Sequence, residues 1–169
     1  MKLKRYIYGI ALAAATLTLT ACSDFLDKDS ENSVPEKSVD YTALENMYMP
    51  VSGVYAKIRT GAMHWVILPL SIVRDDDMWS GRTDDQQLLV NFGNYQYDNT
   101  FWGLNEMWNQ YYGIIKVANA ALTSLDEYAA NTKDASLLAT NRAYQGEVRI
   151  LRAYAYYQLT QAFGDVTIL

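Results

Sequence analysis

The chain has 169 residues and a formal net charge of −5. Its first 21 residues hold Lys2, Lys4 and Arg5 and no acid, so taking that +3 from −5 leaves −8 from Cys22 onward, which argues against nucleic acid or anionic lipid surfaces as partners. A single cysteine excludes an internal disulfide, and fourteen Tyr and four Trp against four Phe favour side chains with an apolar face and a polar tip.

Met1 to Tyr6 is basic, and Ile7 to Thr20 follows without a charge, mostly as Ala, Leu, Ile and Thr. A basic start, a short apolar stretch and a small-residue exit describe a secretory signal. The apolar run is shorter than the ~20 residues a membrane-spanning helix needs. It ends in Leu19-Thr20-Ala21-Cys22. This resembles the lipobox of bacterial lipoproteins, where cleavage before the cysteine leaves it lipidated. The expectation is a signal peptide over 1–21 and lipidation of Cys22, with an ordinary signal or an uncleaved anchor as the alternatives. Each buried CH₂ contributes ~0.8 kcal/mol, so several acyl chains would hold the protein at a membrane. Residues 22–39 are rich in Asp, Glu, Ser, Lys and Asn and include Pro35, which reads as a flexible tether.

A helical domain is expected over 40–169. Its first helix should begin near Asp40 or Thr42, where Thr42-Ala43-Leu44-Glu45 fits a capping box. Leu44, Met47, Tyr48, Val51, Val54, Tyr55 and Ile58 recur at helical steps. Pro50 should kink that helix or split it near Met49, and Gly61 should end it. Trp65 to Val73 is apolar and contains Pro69; it reads as a short buried helix or a strand, and periodicity does not choose. Asp75 to Asn99, with Gly81, Gly93 and several Asn and Asp, reads as a long loop with little regular structure, of a length that in a compact domain is functional or disordered. From Leu104 to Leu125 an unbroken stripe of Leu104, Met107, Trp108, Tyr111, Ile114, Ile115, Ala118, Ala121, Leu122 and Leu125 predicts a long helix. After a turn at Asn131–Asp134, Leu137, Leu138, Tyr144, Val148, Leu151, Ala155 and Leu159 predict a second, stopped at Phe163-Gly164-Asp165 with Gly164 as its terminator. Two long helices joined by a short turn pack antiparallel. The fold class is all-α: helical hairpins resembling tetratricopeptide repeats in shape, without that class's ~34-residue period.

Three stretches carry a family resemblance. Gln145-Gly146-Glu147-Val148-Arg149-Ile150-Leu151-Arg152-Ala153-Tyr154-Ala155-Tyr156-Tyr157-Gln158-Leu159, followed by Phe163-Gly164-Asp165, resembles the GEA-x-x-LRA-x-x-Y-x-x-L…FGD-x-P signature of the SusD/RagB family. Trp108, Tyr112, Ile115 and Asn119 match its W-x-x-x-Y-x-x-I-x-x-x-N helix, and Cys22-Ser23-Asp24-Phe25-Leu26-Asp27 is similar to its mature start. Val148 stands where the family has Ala, and Thr167 where it has Pro. The resemblance implies a fragment of a larger SusD-like fold, corresponding to its first third or so, with a long ligand-side loop. It implies a lipid-anchored outer-membrane protein of a Bacteroidetes-type cell, facing outward, that captures glycans or sometimes peptides. Its implied partner is a SusC-like TonB-dependent transporter, which it covers as a lid.

The resemblance also directs attention to the loop. Asp76, of the Asp75-Asp76-Asp77 run, would hydrogen-bond sugar hydroxyls; the plainer alternative is a solvated or loop-capping cluster. An EF-hand is excluded, because counting from Asp75 puts Trp79 and Ser80 where a ligand and Gly are required. Trp79, Arg82, Tyr95, Tyr97, Asn99 and Trp102 are the other ligand candidates. Flat aromatic faces and a few polar groups complement the C–H faces and hydroxyls of a sugar, although each aromatic could equally be core. Glu147, Arg149 and Arg152 are expected to form ion pairs to neighbouring helices or to bond loop carbonyls rather than bind ligand. His64 is the sole histidine, and no catalytic motif, metal site or cofactor is expected. Binding of an oligomeric nutrient and its delivery to a transporter is the leading expectation; a lipid-anchored glycoside hydrolase and a purely structural scaffold are the rivals.

Overall fold

A computed structural model describes residues 39–63, 65, 67–74, 77–78 and 87–169. The signal, Cys22, the tether up to residue 38, His64, Asp76, Trp79 and Arg82 lie outside the described residues. Among the described residues five α-helices follow one another: α1 (Met49–Thr60), α2 (Ile67–Ile72), α3 (Gln87–Gly93), α4 (Trp102–Ala130) and α5 (Ala135–Phe163). No strand occurs among the described residues, and no described helix is long and apolar enough to cross a membrane.

The α4–α5 hairpin dominates the unit Tyr41–Leu169. Each helix has 29 residues. On α4, Met107, Tyr111, Ile114, Ile115, Ala118, Ala121, Leu125 and Tyr128 are buried along one face, which is the three-and-four spacing of the predicted stripe. Asp134 caps α5: its carboxylate accepts from the backbone N–H groups of Ser136 (2.7 Å) and Leu137 (3.2 Å), two donors that a helix start otherwise leaves unpaired. At the other end the N–H of Gly164 donates to Thr160 O (3.0 Å), and its φ of 75° is the conformation that favours glycine. Cross-helix pairs run in opposite directions, Asn141 to Leu125, Gln145 to Asp126, Arg152 to Asn119, so the hairpin is antiparallel.

α1 lies against both long helices. Val51, Val54 and Ile58 are buried, and burial of such side chains contributes about 1.5–3 kcal/mol each. Lys57 Nζ donates to Gln110 Oε1 (3.0 Å), while the Lys57 stem crosses Gly113, where an added Cβ would stand 2.8 Å from Cε. The mid-helix glycine of α4 thus makes room for α1. Tyr55 donates to Glu147 Oε2 (3.1 Å), and Arg152 Nη1 donates to Asn119 Oδ1 (2.6 Å). Glu147 and Arg152 therefore tie helices together, through neutral partners rather than ion pairs.

Two expectations need correction. The first helix does not start at Asp40 or Thr42. Leu44–Asn46 form a 3₁₀ turn whose N-cap is Ala43, with no side-chain cap, and α1 begins at Met49. Pro50 splits the apolar pattern there: it sits in the first turn, where its missing N–H would have had no intrahelical partner anyway. The stretch read as an irregular loop over 75–99 contains α3, anchored by buried Leu89 and Phe92. Between the two readings open for Trp65–Val73, the structure has a helix, α2.

Sequence reasoning also missed Asn141, fully buried on the inner face of α5. Its Nδ2 donates to Leu125 O (2.8 Å), and its Oδ1 accepts from Gln145 Nε2 (3.0 Å). The amide is paired on both sides, which is how a buried polar group avoids its desolvation cost.

Candidate functional site

α2 ends at Ile72, and two residues later Arg74 extends toward the aromatic segment that follows α3. α3 ends in a Schellman motif: Tyr95 N–H donates to Phe92 O (3.1 Å) and Gln96 N–H to Asn91 O (2.7 Å). The residue in the left-handed position is Tyr95, with φ of 60°, where glycine is usual. This reversal brings Tyr95 and Tyr97 back to Arg74, which Phe92 already contacts. The guanidinium carbon of Arg74 lies 3.7 Å from the ring centroid of Phe92, 4.8 Å from that of Tyr95 and 5.0 Å from that of Tyr97.

The cage is supported from below. Phe101 is buried and stacks on Phe92 at 4.8 Å, with ring planes 24° apart. Its own ring occupies the space over Gly103, where a Cβ would stand 2.5 Å from Phe101 Cζ and 3.1 Å from Leu70 Cδ1. Asp98 shapes the bend between Tyr97 and Phe101. Its carboxylate accepts from the Thr100 hydroxyl (2.6 Å) and the Thr100 N–H (2.8 Å), and these bonds, the hydroxyl first, hold its pKa below the usual carboxylate value.

A cleft of about 530 Å³ opens beside this cage. Arg74, Phe92 and Tyr97 form one wall. Tyr157, Gln158 and Gln161, from the last turns of α5, stand among the remaining lining residues, with Leu104 and Met107 of α4. Its volume falls in the ~300–1,000 Å³ range of small-molecule sites. Aromatic faces, amides and one guanidinium suit a ligand with apolar faces and many hydroxyls. Among the described residues no group of three or more His, Cys, Asp or Glu could hold a metal.

Of the sequence-derived candidates, Tyr95 and Tyr97 come together on Arg74, and Tyr97 lines the cleft. Asn99 stands in an exposed turn, and Trp102 is 42% exposed with its ring 6.1 Å from Phe101; neither is among the lining residues. Asp77 is exposed in a turn. Arg74, Phe92, Tyr157, Gln158 and Gln161 were not singled out from sequence. Tyr157 and Gln161, four apart and so on one face of a helix, were the available signal.

With that geometry in place, the comparisons are informative. A family model described as "Starch-binding associating with outer membrane" matches residues 24–169. The chain belongs to the SusD-like family. It is 24% identical over 161 residues to a SusD-like protein of Bacteroides ovatus, covering 95% of this chain and 28% of that relative. It is 28% identical over 162 residues to SusD-like protein P2 of Formosa agariphila, covering 94% of this chain and 30% of that relative. The chain thus spans under a third of the length of these curated SusD-like relatives. No solved structure matches it significantly. The matched stretch takes in all five helices, and the motif residues Glu147, Arg152, Trp108 and Asn119 lie on the hairpin. Trp108 packs at 5.1 Å, edge-on, against Phe163, so two of the motifs meet at one end of the hairpin.

Proposed function

We propose that this protein captures an oligosaccharide at the cell surface and passes it to a SusC-like TonB-dependent transporter. The cleft walled by Arg74, Phe92 and Tyr97 carries the reading: its aromatic faces fit sugar C–H surfaces, and Gln158, Gln161 and Tyr157 offer hydroxyl partners. The family's description as starch-binding and outer-membrane-associated supports a glycan over a peptide. Tyr95 and Tyr97 would be the ligand-side aromatics, with Asp76, Trp79, Arg82, Asn99 and Trp102 as further contacts. A lipid on Cys22, exposed by removal of residues 1–21, would hold the protein at the outer membrane facing outward, with residues 22–39 as a tether. Two-carboxylate hydrolysis needs a positioned acid pair; the described lining residues offer amides, hydroxyls and a guanidinium, the groups of a binding site.

Affinity electrophoresis of the whole chain in gels containing neutral or acidic polysaccharides tests the capture step. Retarded migration without release of reducing ends is expected. Migration indifferent to every polysaccharide would reject glycan capture, and reducing-end release would favour the hydrolase. For the anchor, Cys22→Ser should move the protein from the membrane fraction to the soluble fraction; unchanged membrane association would reject lipidation.

A further inference from the structure

We infer that the cleft beside Arg74 selects an acidic glycan, one carrying carboxylate or sulfate ester groups, over a neutral one. The inference rests on the glycan-binding reading above and narrows its substrate class. Three observations carry it. Arg74 is the sole formally charged residue among the described lining residues of the cleft. Its guanidinium carbon lies over the rings of Phe92, Tyr95 and Tyr97. Ring contacts of that kind use none of the guanidinium's N–H groups as hydrogen-bond donors to oxygen. Finally, Arg74 Nε is buried and has no hydrogen-bond partner.

A guanidinium held among three rings, with its Nε–H unpaired, is preorganised for a flat or tripodal anion. Carboxylate and sulfate oxygens accept two parallel N–H bonds from such a fork. A sugar hydroxyl can accept one and offers no charge. The rest of the chain is acidic, so an anionic polymer is repelled over most of the surface and favoured only where a positive group has been placed. The three-ring cage also fixes where Arg74 stands, which a solvated lysine on a flexible stem would not achieve. Tyr157, Gln158 and Gln161 could then hold the neutral hydroxyls of the same sugar.

The test is isothermal titration of the whole chain with three oligosaccharides of equal length: malto-oligosaccharide, oligogalacturonate and a sulfated galactan. At least one acidic ligand should bind about tenfold tighter than the neutral one, and which of them does so identifies carboxylate or sulfate. R74Q should abolish that preference, weakening the acidic ligand about tenfold more than the neutral one. R74K, which keeps the charge and loses the fork, should retain part of it. Should R74Q fail to fold, the wild-type preference must still shrink as salt rises from roughly 0.01 M to 1 M. Equal wild-type affinity for neutral and acidic ligands, or equal weakening of both by R74Q, overturns the inference and leaves glycan capture standing. Binding to none of the three overturns both.

Discussion

The α4–α5 hairpin and the segment from Gln87 to Phe101 draw on the same aromatic residues for different ends. In the hairpin, tyrosines are fasteners. Tyr111 is fully buried, and burial, more than the neighbouring Tyr154, pushes its phenol well above the ordinary value. Tyr128 packs edge-on against Tyr41 at 5.0 Å, and Tyr144 lies tilted against Tyr48 at 5.1 Å. Tyr112 donates to Thr167 O (2.8 Å), holding the chain that follows α5. In the segment, Tyr95 and Tyr97 remain exposed by 67% and 40% and spend their inner faces on one arginine. Periodic helix supplies stability in the first region. In the second, a helix of seven residues and a strained turn supply a surface. Ligand-facing elements come from the less stable end of a structure because they keep apolar area uncovered.

Substitutions in the two regions should therefore separate stability from binding. The largest effect is expected at Ile115, fully buried at the centre of α4. Ile115→Ala should destabilise the protein by about 2–5 kcal/mol, read as a shift in the denaturant midpoint followed by circular dichroism. Glycan affinity of the fraction still folded should be unchanged. A loss of affinity without a midpoint shift would erase the distinction between the regions. Gly103→Ala joins them: the new methyl would displace Phe101, and with it Phe92 beneath Arg74. Overpacking of this kind costs about 1–3 kcal/mol, and here glycan affinity should fall as well, in the same titration.

The same contrast explains what was legible in sequence. α4 and α5 announce themselves because each buries a continuous face, repeated over several turns, and a period is a statistic that needs length. α3 has two core residues, Leu89 and Phe92, three apart, in a helix of seven residues; nothing so short can display a period. Arg74 was invisible for another reason. Its partners lie 18 to 23 residues downstream, and only the reversal at Tyr95 closes that interval. A non-glycine in the left-handed position of a Schellman motif is the least predictable part of that geometry. Tyr97 could be nominated as a ligand residue from its type and neighbourhood, whereas the cleft wall from α5 could not, because Tyr157, Gln158 and Gln161 read as ordinary helix surface. The start of α1 lies between the two: apolar spacing ran on through Leu44 and Met47 and placed the start too early, while Pro50 marked the split near Met49 where the helix begins.

Within the segment the effects should be smaller and mainly functional. Tyr97→Ala should weaken glycan binding about tenfold, near 1.4 kcal/mol, with little change in melting temperature, since its ring is partly exposed. Asn99→Ala, outside the lining residues, should change affinity less; equal losses at the two positions would place the ligand beyond the cleft. At Tyr95 two substitutions should differ from each other. Tyr95→Ala loses the ring over Arg74 and keeps the left-handed backbone, whereas Tyr95→Gly loses the ring and relieves the backbone. The glycine variant should be more stable by about 1 kcal/mol, measured by chemical unfolding of both proteins side by side.

The smallest effect concerns Asp98, and it is a matter of pH. The Thr100 hydroxyl and N–H stabilise its carboxylate form, so its folded pKa lies below the unfolded value. A group depressed in this way stabilises the fold at pH above its unfolded pKa, about 3.9 for Asp. That contribution declines as pH falls through the unfolded and then the folded pKa, because the protonated acid no longer accepts both bonds. Asp98→Asn should therefore lower stability slightly at neutral pH and converge on the wild type at the acid end of the profile. Denaturant midpoints taken from pH 7 downward to roughly 2.5 read the difference directly. A gap that stays constant across that range would mean that the turn is held by shape rather than by charge. The bend then would not loosen in acid, and the placement of Tyr97 and Phe101 on either side of it would be independent of protonation.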